Sequence, residues 1–166
     1  MAETTQPYFH STYVLLIAKG RGWDDITDPA QLANLPLERQ ETLKIAMFDR
    51  GPGTVWLQKN GLLEQGLPYQ SMTGDSEHNA AMQIDKDLRA GLIDMVILWG
   101  PMAGYVEAQS PKGSYTALEM KSTPDMKFDF SIAMGVRHGD NRRKQQLDEL
   151  IAKNLQQIQS IIGSYQ

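Results

Sequence analysis

The 166 residues contain no cysteine, which excludes disulfides, thiol nucleophiles and Cys-ligated zinc. The absence fits reducing and oxidising compartments alike, so it assigns neither. Basic excess is also missing: 16 Lys and Arg against 20 Asp and Glu leave a formal charge of −4. That is the wrong sign for generic binding to nucleic acid or to an anionic membrane. No apolar run approaches the roughly 20 residues of a membrane span. Met1–Thr5 has neither the basic start nor the apolar core of a secretory leader, so none is expected in the chain as written. Histidine is sparse: His10, His78 and His138 stand far apart, without His-x-x-x-His or Glu-x-x-His spacing, and each reads as a polar surface residue rather than a metal ligand. Ser11 and Ser131 lack an arrangement that would mark a nucleophile. Asp75, Glu77, Asp85 and Asp87 read as a cap and a solvated helix face. No catalytic acid/base pair, metal or cofactor is indicated, and the chain reads as a non-enzyme.

What is present is enough for one ordinary globular domain, with 41% hydrophobic and 22% charged residues. Its organising stretch is Leu92–Pro101. Ile93–Trp99 is almost continuously apolar, as expected of a strand buried on both faces under helices. Gly100 permits a tight turn, and Pro101 suits the first position of a helix, where its missing N–H costs nothing. The carboxyl end of this strand therefore meets a helix N-terminus, which is where ligands bind in open α/β sheets.

Strands are also expected at Ser11–Ala18, Leu43–Phe48, Tyr69–Thr73, Tyr115–Met120 and Phe130–Val136. Asp28-Pro29 predicts a capped helical turn. Short helices are expected at Thr54–Gly61 and Pro101–Gln109, and Gly74-Asp75-Ser76 reads as the turn and cap before a helix from His78 to Gly91. The last helix, Asn141 to Ile162, carries Leu147, Leu150, Ile151, Leu155, Ile158, Ile161 and Ile162 as one apolar stripe behind the N-cap Asp140. This alternation predicts an α/β protein with a mainly parallel sheet and helices on both faces. Gly53, between a buried strand and a helix, is expected to resist substitution, whereas Gly22 reads as an exposed loop glycine that tolerates it.

The order of these parts, with Arg89–Asp94, Trp99–Tyr105 and the return strand Phe130–Arg137, resembles periplasmic solute-binding proteins of the type II, amino-acid-binding group. Pro7–Val14, Trp99–Tyr105 and Ser131–Arg137 are most similar to the binding-protein homologues encoded beside PQQ-dependent methanol dehydrogenases, the MxaJ/XoxJ type. The resemblance implies a strand crossing between two lobes at residues 1–19, the second lobe at 20–124, and a return strand with a carboxy-terminal helix at 125–166 that belongs to the first lobe. The amino-terminal half of that first lobe has no counterpart in the chain.

Gly51-Pro52-Gly53-Thr54 opens a helix whose free N–H groups and dipole suit an anion, and in amino-acid-binding relatives the matching turn holds a ligand carboxylate. Equally, it is a turn that needs glycine geometry. Trp99 stands where those relatives commonly carry an aspartate for the ligand's ammonium, so a standard amino-acid ligand is disfavoured. It is read either as a core aromatic or, with Tyr105 and Trp56, as the lining of an apolar cleft or protein-docking surface. The candidate ligand-contacting residues are Gly53, Thr54, Trp99 and Tyr105. The resemblance implies a periplasmic accessory protein contacting a PQQ-dependent dehydrogenase, or alternatively a solute-binding component of an ABC transporter for a small polar molecule. Without its first lobe the apolar stripe is left uncovered, and a homo-oligomer is expected.

Overall fold

The computed structural model describes residues 2–71 and 79–165. The expected strand end at Met72-Thr73, the turn Gly74–Ser76, Glu77 and the helix start at His78 lie outside the described residues. The chain begins with β1 (Ala2–Thr4) and β2 (Phe9–Ala18). A 3₁₀ turn, Pro29–Asn34, follows under a complete capping box: Asp28 accepts from the Ala30 amide and Gln31 reaches back to the cap backbone. After it come α1 (Leu37–Gln40), β3 (Ile45–Phe48), α2 (Pro52–Lys59) and β4 (Gly66–Tyr69). Next are α3 (Ala80–Ala90), capped by Asn79, then β5 (Met95–Trp99), α4 (Gly100–Ala108) and β6 (Tyr115–Glu119). β7 (Asp129–Ile132), β8 (Gly135–Arg137) and α5 (Asn141–Gly163), capped by Asp140, complete it.

One sheet runs β4-β3-β5-β2-β6, with β7 also on β2. The pairings of β3 with β4 and β5 are parallel, and those of β2 with β5, β6 and β7 antiparallel. The sheet is therefore mixed rather than purely parallel. The physical reason is the entry of β2: this strand alone runs against the others and converts every ladder it makes. Its apolar half, Val14–Ile17, lies between β5 and β6, while Phe9–Thr12 pairs with β7 beyond the end of β6. β1 and β8 continue that ribbon away from the sheet as a separate antiparallel pair.

The two faces of the sheet carry two cores. On one side α3 and α4 bury Ile84, Leu88, Ala103 and Val106 against Leu16, Val96 and Leu98. On the other, α2 buries Trp56 and Leu57 against Leu15, Ile45 and Ile97. α5 belongs to neither: Ile151 is its only buried residue, and Leu150, Leu155 and Ile161 are exposed. β4 carries Pro68, which its place at the sheet edge tolerates because no partner needs the missing N–H on that side. Among the described residues no helix is long and apolar enough to cross a membrane.

Candidate functional site

The carboxyl ends of β3 and β5 lie side by side, and the turn from β3 into α2 is built around three constraints. Arg50 takes a left-handed backbone, φ 59°, unusual for a residue with a Cβ. Pro52 opens the helix and Gly53 packs under it: a Cβ there would lie 3.1 Å from Ile97 Cγ2 and 3.2 Å from Met47 Cβ. The Thr54 hydroxyl donates to the Phe48 carbonyl at 3.0 Å, and the Thr54 amide to the Gly51 carbonyl at 3.1 Å. Thr54 therefore serves first to close the turn, and Gly53 to let α2 approach the sheet. No side chain caps α2. The guanidinium of Arg50, exposed beside this helix start, has no partner among the described residues. It adds a cation to a place already favourable to anions.

Trp99 ends β5 and is the N-cap residue of α4. Side-chain alternation puts it on the face of Met95 and Ile97. There it meets three rings edge-on or tilted: Tyr13 at 5.4 Å, Phe9 at 6.2 Å and Phe130 at 6.2 Å between centroids. Tyr13 also contacts Phe128 and Phe130, and the Lys127 ammonium lies 5.4 Å from the Phe130 ring centre. These separations are those of rings packed on one another, with no ligand-sized gap between them. Phe9, Tyr13, Trp99 and Phe130 are each half-buried, so the cluster presents an aromatic surface. Burial raises the pKa of the Tyr13 hydroxyl and keeps it protonated.

The other two aromatics named from the sequence do not join this cluster. Trp56 is buried in the α2 core, and Tyr105 packs with Tyr69 and Met102 on the opposite face of the sheet. Of the four candidate residues, Gly53, Thr54 and Trp99 thus share one face and one end of the sheet, and Tyr105 stands apart. The sequence did not show Phe9, Tyr13 and Phe130 as companions of Trp99, because they are brought in by the pairing of β2 with β5, which sets Tyr13 opposite Trp99, and with β7.

A second polar group lies along that pairing. His10 Nδ1 is 3.1 Å from Ser131 Oγ, and His10 Nε2 is 3.8 Å from Asp129 Oδ2. Ser131, read from the sequence as lacking an arrangement that would mark a nucleophile, thus lies within hydrogen-bond reach of an imidazole. The residue types are those of a nucleophile relay, but 3.8 Å exceeds a hydrogen bond and both His10 and Asp129 are open to water, so the imidazole is not held as a base. The Ser122 hydroxyl donates to Asp129 and holds its carboxyl below the usual range. A shallow groove of about 700 Å³ runs from this group past Gly100 to Glu107 and Glu119. Burial raises the Glu107 carboxyl. Among the described residues no group of three His, Asp or Glu side chains is placed to hold a metal ion.

These features, a sheet with α2 on one face and α3 and α4 on the other, entered and left through an antiparallel ribbon, define the periplasmic-binding-protein fold. In particular, the chain is similar to the periplasmic binding protein XoxJ from Methylobacterium extorquens AM1, at 24% identity and TM-score 0.75, over 99% of this chain and 71% of that one. It is similar also to MxaJ from Methlophaga aminisulfidivorans MPT, at 18% identity and TM-score 0.74, over 99% and 69%. An amino acid ABC transporter substrate-binding protein from Streptococcus pneumoniae, solved with L-arginine, matches at 18% identity and TM-score 0.67, over 99% of this chain and 60% of its own. No protein-family model and no curated protein sequence matches the chain.

Proposed function

We infer that the protein is a non-enzymatic, periplasmic binding-protein homologue that acts by contacting a PQQ-dependent alcohol dehydrogenase. The observation that carries this reading is the aromatic cluster at the end of β5. A small polar solute needs convergent polar groups in a concave site. Here the corresponding place is filled by Trp99, Tyr13, Phe9 and Phe130 packed on one another, and half-buried aromatics of this kind suit a protein partner better than a zwitterion. The likeness in fold to XoxJ and MxaJ supports the same reading, as does the sequence resemblance. In this reading residues 20–124 act as the second lobe of a binding protein, with 1–19 and 125–166 as its crossing strand, return strand and helix. The test is size-exclusion chromatography of the protein with its organism's PQQ-dependent dehydrogenase. Co-elution that is lost in Phe130→Ala and Trp99→Ala, with unchanged circular dichroism, is the expected result. Separate elution of the wild type refutes it.

A transport reading has one observation in its favour. The α2 N-terminus, with Gly53, Thr54 and Arg50 beside it, Arg50 having no partner among the described residues, offers positive potential to a carboxylate. Tyr105 lies on the other face and is left without a role in that site. Calorimetric titration with common amino acids and small carboxylates separates the two readings: micromolar affinity supports a solute-binding component of an ABC transporter, and its absence supports the dehydrogenase partner.

A further inference from the structure

β2 runs against β5, so the loop that leaves β2 lies at the amino end of β5, the end of the sheet opposite Trp99 and Gly53. A cleft of about 510 Å³ opens there, between this loop, the last turn of α3 and the segment before β6. The charged side chains lining it are Lys19, Arg21 and Arg89, with no carboxylate among the lining residues. This is a local reversal in a chain of net charge −4.

Two of the three cations are held in place by backbone carbonyls. Arg21 donates to the carbonyls of Arg89 at 3.1 Å and Ile93 at 3.4 Å. Arg89 donates to the Gln109 carbonyl and, at 3.0 Å, to Asp85. A carbonyl fixes a guanidinium without cancelling its charge, and each fork keeps further N–H groups to donate. Capping of the α3 carboxyl end accounts for Arg21 in part. It does not account for Lys19, whose backbone amide ties its loop to the Ser114 carbonyl at 2.9 Å while its ammonium has no partner among the described residues. Hydroxyl donors complete the wall. Ser110 Oγ and Tyr115 Oη stand 3.2 Å apart, and since one hydrogen serves that contact, the other is free for a ligand. Asp85, outside the lining, pairs with Arg89 and offsets its charge, and Asp24 accepts from the Gly20 amide, so Lys19 and Arg21 carry the excess positive charge of the cleft.

We propose that this cleft, formed by Lys19, Arg21, Arg89, Ser110 and Tyr115, binds a multivalent oxyanion, a small phosphate ester or polycarboxylate. Its volume is in the range of small-molecule sites and exceeds what a single inorganic ion fills. The site is independent of the dehydrogenase reading and lies at the other end of the sheet.

The test is a titration of the whole chain with inorganic phosphate and, separately, citrate, followed by melting temperature and amide NMR shifts at ionic strength held constant with sodium chloride. Saturable binding at roughly millimolar or tighter is expected for at least one probe, with shifts centred on Gly20 and Ser114. Response to phosphate alone identifies a phosphate ester as the ligand class, and response to citrate alone a polycarboxylate. Lys19→Glu should weaken binding by about ten-fold or more while leaving the anion-free melting temperature unchanged, because that ammonium holds nothing in the fold. Shifts that match the chloride control, or wild-type affinity in both Lys19→Glu and Arg89→Gln, overturn the proposal.

Discussion

The backbone of Tyr165 lies against Gly104: a Cβ added to this glycine would overlap the Tyr165 carbonyl oxygen and stand 2.8 Å from its carbon. Gly104 sits in α4 on the sheet, and Tyr165 follows α5. This close approach ties the end of the outlying helix to the body of the protein, while farther up Gln6 donates two hydrogen bonds to Asp148. Gly104→Val is expected to detach the end of α5 without unfolding the sheet. Hydrogen exchange should show lost protection over residues 155–163 and unchanged protection in β5; full protection in α5 would contradict it.

Gly53 and Gly22 make a contrasting pair. A Cβ at Gly53 would press on Ile97 and Met47, and the two methyls of valine add overlap within a packed layer. At Gly22 nothing lies within 4 Å, but φ is +90°. The expectation that Gly22 tolerates substitution thus fails on backbone geometry rather than on space. Both valine variants should destabilise, Gly53→Val by about 3 kcal/mol or more and Gly22→Val by about 1–2 kcal/mol. Denaturant midpoints in the reverse order would refute the ranking.

Asp87 is a buried carboxylate on α3 whose partners are the Tyr69 hydroxyl at 2.6 Å and Gln83 at 2.8 Å. Burial, then the bond to Asp87, raises the Tyr69 pKa. Tyr69→Phe removes one of two donors from a desolvated charge and should cost about 1–3 kcal/mol in urea unfolding. In the wild type the raised hydroxyl gives stability that is complete below the unfolded tyrosine value and falls as pH rises beyond about 10. The variant should lack that alkaline slope.

Lys59 and Thr123 hold the Asp125 carboxyl at about 2 by hydrogen bonding. A lowered carboxylate favours the folded state above its unfolded value and loses that contribution as pH falls through the folded one. The window is therefore from about pH 4 down to about 2. Asp125→Asn should flatten the acid limb of stability there, modestly because the group is fully exposed. An unaltered limb would show that the pair contributes nothing.

The exposed Leu150, Leu155 and Ile161 leave α5 without a cover, and we expect self-association through it. Light scattering at tens of micromolar, roughly where a modest interface is populated, should give a mass above the monomer, reduced by Leu155→Glu. A monomer in the wild type would rule this out.

Much of the fold was legible where one physical signal acted alone. The run Ile93–Trp99 is apolar because both faces are covered, Asp28-Pro29 carries its cap in two adjacent residues, and α5 begins at Asp140 as expected. Competing signals produced the misses. β4 lies earlier, at Gly66–Tyr69, than the expected Tyr69–Thr73, because a sheet edge accommodates Pro68. The expected single strand Phe130–Val136 breaks at Ala133-Met134, where its partner changes from β2 to β1 and Thr5 takes both backbone groups of Met134. In the site, Trp99 was visible from its place after an apolar run. Its ring partners were not, because they depend on pairing between chain ends, and no local pattern reports a left-handed Arg50.

The reversed strand also sets the order in which the protein can form. β2 precedes its partners β5 and β6 in the chain by many residues, and the register that secures it pairs Tyr13 with Trp99 and Val14 with Leu98 and Glu119. Its apolar segment therefore waits, unpaired, until β5 and β6 have been made, while β3 and β4 already pair with each other. Distant pairing of this kind slows folding and leaves a strand edge open to other chains. Completion of β5 and β6, rather than emergence of β2, is thus the committing event for this sheet.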